Sequence, residues 1–362
     1  MKKLLTSVLV LALLCSLFGC SSKYEPVEST EEEARVVMTL TADGTRYDIR
    51  YELYRALFIA NRDTVDGGDT TVWSGESKDE YISRINAIII DRAAEIYSAI
   101  HLAESLGFKA YSATVEDAIE EAVIGAVEGD GIQPGHGSYE AYLESLKAVG
   151  LNYSVATLMM RYSLAVEFIN EYYIGELDVL GASSAEFEYA EEDVRAYYES
   201  DDCARVLQAY FAKGVRTREY VEDFREALIA KGDVYEMAAY ILGNTTATAT
   251  DVLIDDNISG ILVGRSSAES GFEDFTSSIF ALEEGELSDV IEVNGTDADG
   301  YYLIYRLEKS AEHFELCYDA IAASYLDNVV GKALGDVAKA MISSVNTTSN
   351  YEHIIHTEIG FD

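Results

Sequence analysis

The stretch Gly271–Lys309, GFEDFTSSIFALEEGELSDVIEVNGTDADGYYLIYRLEK, decides the fold. Phe272, Phe275, Ile279, Phe280 and Leu282 recur at roughly helical spacing, which predicts a short amphipathic helix. Glu283-Glu284-Gly285-Glu286 then reads as a turn, and two strand-like runs come after it, Leu287–Val293 and Tyr301–Leu307. In the second run Tyr302, Ile304 and Arg306 alternate across the pleat with Tyr301, Leu303, Tyr305 and Leu307. Asn294-Gly295, between the runs, is a strong turn signal.

Working backwards, Ala204–Ala212 reads as a strand, Thr217–Lys231 as a helix ending at Gly232-Asp233, and Val234–Ile241 as a further short helix. This β-α-α opening runs on into the F-x-x-x-x-F-A-L of Phe275 to Leu282, the Gly285-Glu286-Leu287-Ser288 turn, the Gly300-Tyr301 pair and the closing Leu307-Glu308. The order closely resembles a parvulin-type peptidylprolyl isomerase domain of the kind inserted in PrsA/SurA-type extracytoplasmic foldases. The short helix Glu192–Glu199, with Val194 and Tyr197-Tyr198, is similar to the segment that precedes the isomerase domain in that family. The resemblance is specific at the level of motifs over Tyr197–Glu308 and holds in outline over the rest of the mature chain.

Met1-Lys2-Lys3, an apolar run from Leu4 to Phe18 and an abrupt polar switch at Ser21-Ser22-Lys23 read as a secretory signal. Leu17-Phe18-Gly19-Cys20 resembles the lipobox of bacterial lipoproteins, with Phe18 where that motif has a small residue. Residues 1–19 are therefore expected to be removed and Cys20 to carry a lipid anchor, with 20–35 as a polar, acidic tether. Removal takes two lysines and no acids, which moves the net charge from −39 to −41. So acidic a chain excludes nucleic-acid binding and is repelled by an anionic membrane surface.

Val36–Ile49 contains short runs flanking Asp43-Gly44, a two-residue hairpin signal, and a helical pattern with Ile49, Leu53 and Leu57 follows. Asn61–Glu76, rich in Gly, Asp and Thr, is expected to be a loop. Helices are expected over Asp79–Gly107, Thr114–Glu128, Tyr139–Val149 and Asn152–Gly175. A last helix, Phe314–Ser344, carries the stripe Phe314, Cys317, Ile321, Tyr325, Val329, Leu334, Val337 and Met341, and Tyr351–Ile359 reads as a strand. The fold class expected is α+β. By the resemblance, a helical N-terminal chaperone domain (36–180) is completed by the C-terminal segment (310–362), and a parvulin-like α/β domain (196–309) is inserted between them.

The resemblance also implies a site: an apolar pocket for a proline ring, bordered by two histidines and an Asp or Cys. Phe275 falls on the pocket phenylalanine and Leu262 on the second apolar wall, although Phe275 also fits a plain core aromatic. Gln208 stands at the first histidine, Tyr302 at the second and Ile261 at the polar position, while Gly271 replaces a bulky residue. Gln208 and Tyr302 can hydrogen-bond to each other, but neither titrates near neutrality as histidine does. All five histidines, His101, His136, His313, His353 and His356, lie outside the expected domain. His353 and His356 read as a surface pair, so no metal and no cofactor is implied.

Of the four cysteines, Cys203 and Cys317 belong to the folded body, and they fit either a disulfide or two separate buried thiols. The leading functional reading is a lipid-anchored, extracytoplasmic foldase-like chaperone that binds unfolded secreted polypeptides and has lost catalysis. An active isomerase with an altered site and a solute-binding lipoprotein are the alternatives. The last lacks the long strand-helix alternation of paired α/β lobes.

Overall fold

The computed structural model describes residues 23–74, 76–129, 134–174, 187–244, 253–254, 257–258, 260–266, 273–294 and 299–357. Cys20 lies outside them. The fold is α+β, in two compact units. The first comprises Met1–Phe187 and Ala333–Asp362, and the second, Glu188–Lys332, is interposed in the chain.

In the first unit β1 (Val36–Ala42) and β2 (Thr45–Arg50) pair antiparallel with Ala42 opposite Thr45. That register leaves only Asp43 and Gly44 to turn the chain. Both take positive φ, 47° and 79°, the conformation a two-residue turn of matching twist requires. Helix α1 (Tyr51–Asp66) starts directly after β2, so Ile49 belongs to the strand and not to the helical face. The helix also runs well into the stretch expected to be a loop. It stops at Gly67, whose φ of 62° closes it, and a 3-10 turn (Thr70–Trp73) follows. Trp73 is the physical reason: it is buried, its ring lies 5.0 Å from that of Phe58, and its Nε1 donates to Asp66 Oδ2 at 2.8 Å.

Helix α2 (Lys78–Ser105) buries Ile82, Ile85, Ile89, Ala93, Ile96 and Ile100, and packs against α1 and α5. Helices α3 (Ala113–Glu128), α4 (Tyr139–Ala148) and α5 (Tyr153–Ile174) complete the helical block. Ser112 and Ser138 cap α3 and α4 by accepting from the backbone N–H of Val115 and Ala141.

The second unit opens with α6 (Glu191–Glu199), β3 (Cys203–Ala212), α7 (Arg218–Ile229, capped by Thr217) and α8 (Val234–Asn244). It continues with the two-residue strands β4 (Leu253–Ile254) and β5 (Asn257–Ile258), then β6 (Ile261–Gly264), α9 (Glu273–Ala281), β7 (Ile291–Val293) and β8 (Gly300–Arg306). The main sheet has the order β6-β3-β8-β7, with every neighbour antiparallel. On one face Leu207, Ala209, Phe211 and Leu303 pack with Val221, Phe224 and Leu228 of α7 and with Met237, Ala238 and Ile241 of α8. On the other face Ala204, Val206 and Ile304 pack with Ile279 of α9, edged by Phe275, Phe280, Ile261 and Val263.

The strand expected over Leu287–Val293 is shorter than its apolar pattern. Leu287 bridges Tyr305, and Ser288 exchanges bonds with Ile304, its N–H donating to the carbonyl at 2.8 Å and its hydroxyl accepting from the N–H at 3.0 Å. The ladder then resumes with Ile291 opposite Tyr302, one residue out of step. The extra residue makes a bulge that interrupts the pairing. The return is also longer than a two-residue turn, because Val293 pairs with Gly300. Gly295 lies outside the described residues.

The helix expected over Phe314–Ser344 is broken. α10 (Ala311–Leu316) ends at Cys317, where the backbone leaves helical geometry, and α11 (Tyr318–Ser343) begins afresh. Phe314, Cys317 and Ile321 pack with Val194, Tyr197 and Tyr198, so residues up to Lys332 group with the second unit. Only Ala333–Asp362 group with the first. There β9 (Asn346–Thr347) pairs with β1 at Met38 and Thr39, and Thr348 Oγ1 donates to the Val36 carbonyl at 2.7 Å. The stretch expected to be a final strand is a helix, α12 (Ser349–Thr357). Its Tyr351 hydroxyl accepts from Asn86 Nδ2 at 2.5 Å, and Asn86 Oδ1 accepts from Tyr54 at 2.8 Å.

Candidate functional site

The face of the second unit's sheet that carries α9 holds the residues singled out by motif. Alternation along β3 places Ala204, Val206, Gln208 and Tyr210 on it, and along β8 Tyr302, Ile304 and Arg306. Tyr210 stands directly opposite Tyr302, with ring centroids 4.9 Å apart and planes inclined by 39°. Phe275, from the first turns of α9, also lies against Tyr302, at 4.8 Å and 58°. Offset and tilted rings at this distance gain more than their area burial alone. Tyr302 is only 4% exposed, and burial holds its phenol well above the ordinary tyrosine range. It is therefore a neutral hydrogen-bonding group at any physiological pH.

Gly300 makes the arrangement possible. A Cβ there would lie 2.4 Å from Cε2 of Tyr210, so only glycine lets that ring lie across the end of β8. The ring is held there by its hydroxyl, which donates to the Asp299 carbonyl at 3.2 Å.

Gln208 is half-buried on the same face, but its cross-strand partner is Ile304. No hydrogen bond joins Gln208 to Tyr302 among the described residues, which corrects the expectation that the two could bond. The cause is register, since Tyr302 faces Tyr210, one same-face position further along β3.

Leu262 is a second correction. It pairs with Arg205 and turns to the cluster of Tyr197, Cys203 and Cys317, away from Phe275. Its neighbours Ile261 and Val263 form the apolar wall beside Phe275. Cys203 and Cys317 are free thiols buried in that same cluster, and burial pushes both above the usual thiol range.

Sequence reading missed Arg306. It is 9% exposed, its Nη1 donates to the Leu282 carbonyl at 2.5 Å, and its guanidinium lies 6.0 Å from the Phe280 ring. The buried Nε has no hydrogen-bond partner, and Arg306 forms no ion pair among the described residues. Its signal in the sequence was a charge at a strand position whose same-face neighbours, Tyr302 and Ile304, belong to the core face.

No histidine stands on this face among the described residues. His313, the one histidine of the second unit, stacks on Tyr198 and shares a 3.0 Å hydrogen bond with its hydroxyl. The described residues contain no group of His, Cys, Asp and Glu that could hold a metal, and none of their helices is long and apolar enough to cross a membrane. The face is thus hydrophobic and aromatic around Tyr302, with the Arg306 guanidinium beside Phe280 further along β8.

The chain is similar to solved structures of the foldase protein PrsA. The Streptococcus pneumoniae structure is 16% identical, with 74% of this chain and 88% of that one covered at a TM-score of 0.27. For Bacillus subtilis PrsA the identity is 14%, with 90% and 98% covered at a TM-score of 0.25. For the Lactococcus lactis foldase protein it is 14%, with 89% and 98% covered at 0.26. No protein-family model and no curated protein matches the chain.

Proposed function

We propose that this protein is a lipid-anchored, extracytoplasmic foldase-like chaperone that holds unfolded secreted polypeptides, and that its parvulin-like unit binds client side chains without isomerising prolyl bonds. The observation that carries this reading is the aromatic face of Tyr210, Tyr302 and Phe275, with Phe275 at the position of the motif's pocket phenylalanine and Gln208 and Tyr302 where the motif has histidines. Isomerisation crosses a barrier of about 18–20 kcal/mol, and catalysis needs groups that favour the twisted amide over the planar one. A neutral, buried phenol and an amide one register away form no such constellation. Phe275 lies beside Tyr302 on that face with Ile261 and Val263 near it, and covering one such apolar side chain contributes roughly 1.5–3 kcal/mol.

Two assays on the mature chain test the reading together: suppression of aggregation of an unfolded client, and exchange of an X-Pro peptide followed by NMR. Suppression with exchange at the uncatalysed rate is expected. Exchange at a rate typical of parvulins would favour an active isomerase, and no suppression would remove the chaperone reading. For the anchor, Cys20→Ser is expected to release the protein from membranes or leave its signal uncleaved, and normal processing with full membrane retention would exclude lipidation.

A further inference from the structure

On the sheet face opposite Phe275, a cavity of about 380 Å³ opens among Arg205, Tyr235, Leu307, Lys309, His313 and Leu316. Its inner wall is cationic in a chain whose net charge is −39. Lys309 is half-buried, its Nζ donates to the Ser200 carbonyl at 2.6 Å, and it forms no ion pair among the described residues. Arg205, also half-buried, donates from Nη1 to the Glu308 carbonyl at 2.8 Å. Burial holds both cations below their ordinary pKa, as expected of charges kept from water. The rim is apolar: Tyr235 and Leu316 are 49% and 44% exposed. Exposed Glu308 and Glu312 edge the mouth.

We propose that this cavity captures the C-terminal residue of a bound polypeptide, its carboxylate against Lys309 and Arg205 and its apolar side chain against Tyr235, Leu307 and Leu316. The volume lies at the small end of ligand cavities, roughly 300–1,000 Å³, so it accepts one residue rather than a folded surface. Within that space the ligand must present an anion and an apolar group together, and a C-terminal residue does so from a single Cα. An internal Asp or Glu carries its carboxylate at the tip of the side chain and leaves the apolar rim unfilled. Glu308 and Glu312 at the mouth repel a multiply charged phosphate but tolerate a single carboxylate. The inference rests on the reading that this protein binds polypeptides, and adds a second contact remote from the aromatic face.

The test is fluorescence anisotropy of a short labelled peptide ending in leucine, as free acid and as C-terminal amide, against the mature chain. The acid is expected to bind about tenfold more tightly, the worth of one charge-assisted hydrogen bond. Lys309→Gln is expected to reduce the difference, and Lys309→Gln with Arg205→Gln to erase it. Leu316→Ser, at the exposed rim, is expected to weaken the acid peptide severalfold. Equal binding of acid and amide by the wild-type chain, a comparison that needs no variant, overturns the inference. So does a full acid preference that survives in a folded protein carrying both Lys309→Gln and Arg205→Gln. Aggregation suppression of a client with an amidated C-terminus separates this from the chaperone reading. If suppression persists without acid preference, only the terminal-residue site falls, and if acid preference persists without suppression, only the chaperone reading falls.

Discussion

Phe275 closes on Tyr302 at a ring-centroid distance of 4.8 Å, although one belongs to a helix and the other to a strand. The pair gives the face its aromatic floor, with Tyr302 buried beneath and Phe275 half-buried above. Under the proposed function Phe275→Ala weakens binding of an unfolded client by about tenfold, since one apolar side chain of the face contributes roughly 1.5–3 kcal/mol when covered. Anisotropy with a permanently unfolded client measures this. An unchanged affinity together with a lowered unfolding midpoint would return Phe275 to the role of a core aromatic.

The fit of Tyr210 over Gly300 gives a prediction about stability alone. Gly300→Ala places a methyl group 2.4 Å from the Tyr210 ring and 2.7 Å from the Phe211 carbonyl, so ring and strand must both shift. Such overpacking costs about 1–3 kcal/mol. Urea unfolding should show the loss, and Tyr210→Ala in the Gly300→Ala background should recover part of it. Full additivity of the two substitutions would show that they do not meet.

The same geometry explains what was legible in the sequence. The turn at Asp43-Gly44 could be read because few residues tolerate positive φ, and the faces of β3 and β8 because alternation has a fixed period. Leu262 was misplaced for the same reason: a slip of one residue turns a side chain to the opposite face, and Ile261-Leu262-Val263 is apolar throughout, so the pattern does not choose. The break at Cys317 was hidden because Phe314, Cys317 and Ile321 keep a spacing that both a continuous and an interrupted helix satisfy. Trp73 and Asp66 turned an expected loop into a helix end through a tertiary hydrogen bond that local composition does not carry.

Asn86 bridges Tyr54 and Tyr351 within the first unit, and it is itself 8% exposed. Tyr351→Phe keeps the ring, 6.4 Å from that of Tyr54, and removes only the oxygen that accepts from Asn86 Nδ2. A buried donor left without a partner costs about 1–3 kcal/mol. The midpoint of urea unfolding should fall accordingly, with the m-value unchanged. A change within about 0.5 kcal/mol, the range of surface substitutions, would mean that water replaces the lost hydroxyl.

Arg306 poses the opposite case, a charge whose removal is expected to be harmless. Its guanidinium is buried beside Phe280 with one bond to the Leu282 carbonyl, no ion pair among the described residues, and an Nε without a partner. Desolvating a cation is expensive unless partners compensate, and here a single carbonyl does. Arg306→Met keeps most of the side chain's length and removes the charge, so stability should stay level or rise by about 1 kcal/mol. Arg306→Ala removes the volume as well and should cost about 2–3 kcal/mol, as cavities in cores do. The difference in sign between the two variants, read from urea midpoints, separates the charge of Arg306 from its packing. Equal losses in both would show that the guanidinium itself holds this end of the sheet together.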